Sequence, residues 1–285
     1  MQKRTDLALE RFSDLSAEKE GEIGGAAKEE FTREGLPVTK ITINTPKAAE
    51  VIGKPQGVYY TVEIESPIIN PASEGTAEKV ISEILAELLE GKSILVAGLG
   101  NPDVTPDALG PFSARKIFVT RHIPTEMRSG FGLNSELNSA SVAVGVLGQT
   151  GIESEETVSA AASLVGADTV IVIDALAAGS LKRIGTSVQI TDTGITPGSG
   201  VQGGRKTINS EGLGAKVISI GVPMVVDAVS IVSEFQGVSD DMESFFVTPK
   251  DADKLTERLS EIISSAINRA LFPEIPPKEL KYLVL

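Results

Sequence analysis

Four short runs constrain this chain most: "SILVAGLG" (93–100), "SVAVGVLG" (141–148), "TVIVID" (169–174) and "KVISIGVP" (216–223). Each is almost continuously apolar, rich in β-branched residues and bounded by Gly or Asp. A strand with one wet face alternates polar and apolar residues, so runs like these must be covered on both faces. Helix-like segments, 111–122, 154–166 and 224–235, lie between or after them. Strand–helix alternation of this kind predicts an α/β fold, a largely parallel or mixed sheet sandwiched by helices.

Other segments fit around that sheet. "KITIN" alternates Ile41 and Ile43 with polar residues, and "YTVEIE" puts Tyr60, Val62 and Ile64 on one face. They predict two half-buried strands that extend the sheet or form a small flanking β element. "SVQIT" (187–191) predicts a further strand. Helical spacing of Val80, Ile81, Ile84, Leu85, Leu88 and Leu89 marks a helix over 76–90, and the stripe from Leu255 to Leu271 marks another over 250–271. Residues 1–35 are charged and read as a loop- or helix-like N-terminal extension, and 190–206 as a Gly-rich mobile loop. The whole, 1–285, reads as one domain.

Composition removes several chemistries. The chain has no cysteine, which excludes disulfides, thiolate catalysis and Cys-ligated metals. Its 26 basic and 39 acidic side chains give a net charge of −13, unsuited to direct contact with nucleic acid. No apolar run approaches the roughly 18 residues that span a bilayer, and the N-terminus lacks a signal-peptide core. The expectation is a cytoplasmic protein with no membrane contact.

In such folds functional groups gather at the carboxyl ends of the parallel strands. That rule selects Asn101, Asp103, Asp107, Gln149, Thr150, Asp174 and Asp227. The loop "GLGNPDVTPDALGP" (98–111) has two glycines of a dinucleotide fingerprint, but Asp103 stands where the third belongs and would repel a pyrophosphate. Gly98 and Gly100 are then read as turn residues. Pro111 places a helix start near Gly110, with Asp107 just ahead of it. A helix-favouring acid explains Asp107 alone, and a strand-terminal turn cap explains Asp174 alone. Both sit at ends of buried strands, however, where a carboxylate pair can divide the roles of acid and base. The one histidine, His122, reads as a cation at a helix C-terminus, and neither G-x-S-x-G nor H-E-x-x-H occurs. "DTG" (192–194) matches the triplet of pepsin-like proteases without the two-lobed repeat those enzymes need.

"RTDLALE", "GLGNPDVTPDALGP", "GQTGIE", "VIVIDALAAGSL", "DTGITPGSGV" and "GVPMVVDA" occur in order from about residue 4 to about 235. Together they resemble the germination proteases of spore-forming bacteria. The resemblance implies an endopeptidase, classed as an atypical aspartic protease, that degrades small acid-soluble spore proteins in the spore core. It implies a homotetramer made as a zymogen, although only Met1 to Lys3 precede "RTDLA" here. It further implies a fold like that of the hydrogenase maturation proteases, with their two site acids matching Asp107 and Asp174. Those enzymes add a histidine and nickel; with His122 poorly placed, no metal and no cofactor are expected here. Two other readings stay open. "GLGNP" with "TRH" is similar to peptidyl-tRNA hydrolase, and a non-catalytic acidic binding module would make both aspartates structural.

Overall fold

The computed structural model describes residues 5–18, 23–128, 130, 132–133, 136–198, 206–229, 231 and 245–284. In chain order the main elements are α1 (Ala8–Glu18), β1 (Ala26–Arg33), β2 (Leu36–Ile43), α2 (Pro46–Ile52), β3 (Gly57–Glu63), α3 (Glu74–Leu88), β4 (Ser93–Leu99) and α4 (Leu109–Ala114). There follow β5 (Asn138–Gly145), α5 (Ser154–Val165), β6 (Thr169–Ala178), β7 (Ser187–Thr191), β8 (Lys216–Asp227), β9 (Phe246–Val247), α6 (Ala252–Leu271) and α7 (Pro277–Leu283). The strands form one mixed sheet in the order β1-β2-β3-β7-β8-β6-β4-β5, with β9 paired to β8. Strands β8, β6, β4 and β5 run parallel. Strands β1, β2, β3 and β7 continue the sheet in antiparallel fashion, so the flanking β element is one side of the same sheet.

The apolar runs are covered on both sides because side chains alternate across a strand. On β4, Ile94 and Val96 join a core with α3 and α6, while Leu95, Ala97 and Leu99 join one with Val158 and Ala162 of α5. Ile41, Ile43 and Tyr59 are capped by α1 and α2. Each Leu or Ile buried on the α6 stripe contributes about 1.5–3 kcal/mol of hydrophobic stabilisation. Strand β5 is the parallel edge, and Ala143 on it is exposed, so the double burial expected of "SVAVGVLG" holds only in part.

Three expectations are corrected. The helix read over 111–122 ends at Ala114. Ile117, Val119 and Thr120 are β-branched and weak helix formers, and tertiary partners take over. The Phe118 N–H donates to Asn268 Oδ1 at 2.8 Å, and the Phe118 ring meets Phe272 edge-on at 5.0 Å. The helix read from 224 is strand as far as Asp227; of its remainder, 230 and 232–235 lie outside the described residues. Residues 26–33, read as loop or helix, form β1. Of the loop 190–206, residues 199–205 lie outside the described residues, as do Met1 to Lys3.

Candidate active site

Strand β4 pairs with β6 only as far as Ile173, while β8 follows β6 to Ala178. Asp174 is therefore not strand-terminal, as its sequence suggested. It is the first β6 residue without a β4 neighbour, and there a cavity of about 380 Å³ opens. Asp174 and Asp107 both line it, with Asn101, Asp6, Val104 and Phe246. The Asp174 side chain is buried, and its Oδ1 accepts the Ala175 N–H at 2.9 Å.

Glycine brings the other acid there. A Cβ on Gly98 would lie 2.0 Å from the Gly110 carbonyl oxygen, and one on Gly110 would lie 2.1 Å from that of Leu99 and 2.6 Å from that of Ile173. The start of α4 thus rests directly on the backbones of β4 and β6, a contact that only glycine permits. Gly98 serves this packing and not a turn. Gly100 does turn the chain, at φ +117°, and a Cβ on it would meet the Asp107 carbonyl oxygen at 2.0 Å. Asp107 closes a single 3₁₀ turn, Thr105–Asp107, and α4 begins without a side-chain cap. The Asp107 carboxylate instead turns back to the loop, where Oδ2 accepts the Asn101 N–H at 2.7 Å.

The other selected residues stand apart from the cavity wall. Asp103 and Gln149 are exposed and hold the rim: the Asp103 N–H donates to Asn101 Oδ1 at 2.9 Å, and Gln149 Nε2 donates to the same oxygen at 2.6 Å. The Thr150 hydroxyl donates to carbonyls of its own loop. Asp227 is buried and accepts the Val229 N–H at 3.2 Å. Asp192 of "DTG" accepts the Val58 N–H at 2.8 Å and ties the turn after β7 to β3.

His122 is exposed in a turn beyond α4, so the helix-end explanation has no helix beneath it. It does not line the cavity. Among the described residues no group of three or more His, Asp or Glu could hold a metal ion, and His122 lies away from the two cavity acids. His122→Gln is expected to leave kcat/KM within about twofold and stability within about 0.5 kcal/mol, as for a surface substitution. Steady-state kinetics and thermal melting check this; a loss of orders of magnitude would return the histidine to the site.

Sequence reasoning missed Asp6. The Asp6 N–H donates to the Ala177 carbonyl at 2.9 Å, and its Oδ2 accepts the Ala177 N–H at 2.9 Å. Leu7, fully buried, packs on Leu176 and Ala178. The sequence signals were the motif "RTDLALE" itself and the apolar triplet Leu7 to Leu9 inside a charged N-terminus. Asp6 also borders a second cavity of about 190 Å³ with Lys54 and Tyr59. Lys54 Nζ donates to the Asp6 carbonyl at 2.8 Å; burial pushes the pKa of its ammonium down, with the Asp6 charge opposing. Burial also pushes the Tyr59 hydroxyl up to about 12.

A mixed sheet between helix layers, with a carboxylate-bearing cavity beside its parallel strands, gives the chain an α/β hydrolase-like fold. The family model described as "Peptidase_A25: Germination protease" matches residues 3–242. A germination protease of Caldanaerobacter subterraneus subsp. tengcongensis is 39% identical over 321 residues, covering 99% of this chain and 98% of that one. One from Clostridium tetani is 35% identical, covering 98% of each. One from Bacillus cereus (strain G9842) is 42% identical over 81% of this chain and 65% of its own length. The chain belongs to the germination protease family and is a protease. Among solved structures, a [NiFe] hydrogenase maturation protease HycI from Thermococcus kodakarensis KOD1 aligns at a TM-score of 0.37 and 20% identity, over 65% of this chain and 98% of its own. No helix among the described residues is long and apolar enough to cross a membrane.

Proposed function

We propose that the chain is an endopeptidase that degrades small acid-soluble spore proteins during germination, with Asp107 and Asp174 as its catalytic pair. The observation that supports this is the shared cavity: the β4–α4 turn and the part of β6 that extends past β4 present both carboxylates to one space. Peptide hydrolysis needs a water made nucleophilic and an amine protonated as it leaves. With no cysteine and the sole histidine elsewhere, carboxylates are the groups on hand for both tasks. One carboxylate takes a proton from water as the water oxygen bonds to the carbonyl carbon. The carbon–nitrogen bond then breaks, and the protonated partner supplies the amine's proton.

The resemblance extends the reading to one peptidase domain over 1–285, a homotetramer, a zymogen and a place in the spore core; the match of a relative over 99% of this chain supports its single-domain part. The position of His122 takes support from a peptidyl-tRNA hydrolase, and the net charge of −13 weighs against direct nucleic-acid contact. Incubation with a purified small acid-soluble spore protein should give discrete fragments on a gel, and peptidyl-tRNA should stay intact. The opposite pattern would overturn the reading. Proteolysis should also survive exhaustive chelation, because the described carboxylates do not group into a metal site. Activity lost to EDTA and restored by nickel or zinc would contradict this.

A further inference from the structure

We propose that Asn101 is a third catalytic residue, its side-chain amide donating a hydrogen bond to the substrate carbonyl oxygen as negative charge develops there. The inference rests on the Asp107–Asp174 reading and adds the electrophilic half of the site. Two donors converge on Asn101 Oδ1: the Asp103 N–H at 2.9 Å and Gln149 Nε2 at 2.6 Å. A backbone N–H cannot accept a hydrogen bond, so the atom facing it must be the oxygen, which fixes the orientation of the amide. Both donors belong to rim residues that do not line the cavity, whereas Asn101 does. Its NH₂ group is therefore the end left for a ligand, and among the described residues Nδ2 donates to none. The Asn101 backbone N–H meanwhile holds Asp107 Oδ2 at 2.7 Å, so one residue ties the Asp107 turn and the amide donor into a single unit.

The step balances. As the water oxygen bonds to the carbonyl carbon and one water proton passes to a carboxylate, the π pair of the C=O moves onto oxygen, and Asn101 Nδ2–H bonds to that oxygen. The pair returns to carbon when the carbon–nitrogen bond breaks and the other aspartate's proton goes to the amine. A fixed donor aimed at developing charge acts on the transition state more than on bound substrate, so its loss should appear in kcat and not in KM.

Asn101→Ala keeps the backbone N–H to Asp107 and removes the amide. It is expected to lower kcat by about 100- to 1,000-fold with KM little changed, the range for a lost oxyanion donor. Affinity for a peptide difluoroketone, whose hydrate mimics the tetrahedral intermediate, should fall with it. Affinity for a reduced-bond peptide, which has no carbonyl to polarise, should not. Asn101→Leu likewise keeps the backbone N–H to Asp107 and removes the amide without adding charge; should the alanine variant fail to fold, it reads the same loss. If both variants stay within about threefold of the parent while Asp107→Asn is inactive, the inference fails and the carboxylate pair stands. If Asp107→Asn and Asp174→Asn retain activity, the pair fails and this inference with it. A crystal structure of the unaltered protein with the difluoroketone should place one hydrate oxygen within about 3.2 Å of Asn101 Nδ2; a separation beyond about 4 Å overturns the assignment.

Discussion

Asp107→Asn and Asp174→Asn are each expected to lower the rate of spore-protein cleavage by roughly 100-fold or more, with fold and assembly retained. The substitution preserves shape, and an amide oxygen can still accept the Asn101 N–H at position 107 and the Ala175 N–H at position 174. What it removes is the ability to take up and release a proton. Asp103→Asn is the control: Asp103 is exposed, its carboxylate accepts Gln149 Nε2 at 3.2 Å, which an amide oxygen can also do, and its backbone N–H is untouched, so the loss should be within about fivefold. Circular dichroism and gel filtration separate lost chemistry from lost structure. Activity in either cavity variant would make the pair structural.

Gly110→Ala is expected to destabilise the protein by about 3 kcal/mol or more. Its Cβ would lie 2.1 Å from the Leu99 oxygen, 2.5 Å from the Leu99 nitrogen and 2.6 Å from the Ile173 oxygen. These are backbone atoms of two central strands, and no side chain can swing aside to make room. Helix α4 must lift from the sheet and take the Asp107 turn with it, so activity should fall alongside stability. Gly148→Ala is the contrast: nothing lies within 4 Å of its Cβ, and its stability should stay within about 0.5 kcal/mol. Thermal melts compare the two; equal melting temperatures would mean that α4 does not rest on the strands in this way.

The sheet centre was legible because β-branched runs without a polar phase have few ways to be buried. The long helices were legible because α3 and α6 carry stripes at a 3.6-residue period. Segment 111–122 misled because its apolar residues satisfy helical spacing, while the contacts that decide its course, Asn268 and Phe272, lie about 150 residues away in sequence. That Asp107 and Asp174 face one cavity was legible in outline, since both follow apolar runs whose carboxyl ends topology sends to one crevice, although β6 continues four residues past Asp174 and Asp107 lies in a turn beyond β4. Their supports were not. The Gly98–Gly110 contact is steric and leaves no periodic trace. Asp6 reaches the cavity only because an N-terminal segment pairs with β6 at Ala177, 171 positions on. Nor could spacing foretell that Asn101 would gather Asp103, Asp107 and Gln149 about itself.

The central claim, that Asp107 and Asp174 act as one catalytic unit, is tested most directly by a double-mutant cycle on the cleavage rate. Residues that act as a unit are strongly non-additive, because removing either already disables the step that both serve. The account predicts that the double Asp107→Asn, Asp174→Asn variant loses no more than about tenfold beyond the worse single variant. A double variant whose loss equals the product of the two single losses would mean that the two carboxylates act independently, and would contradict it.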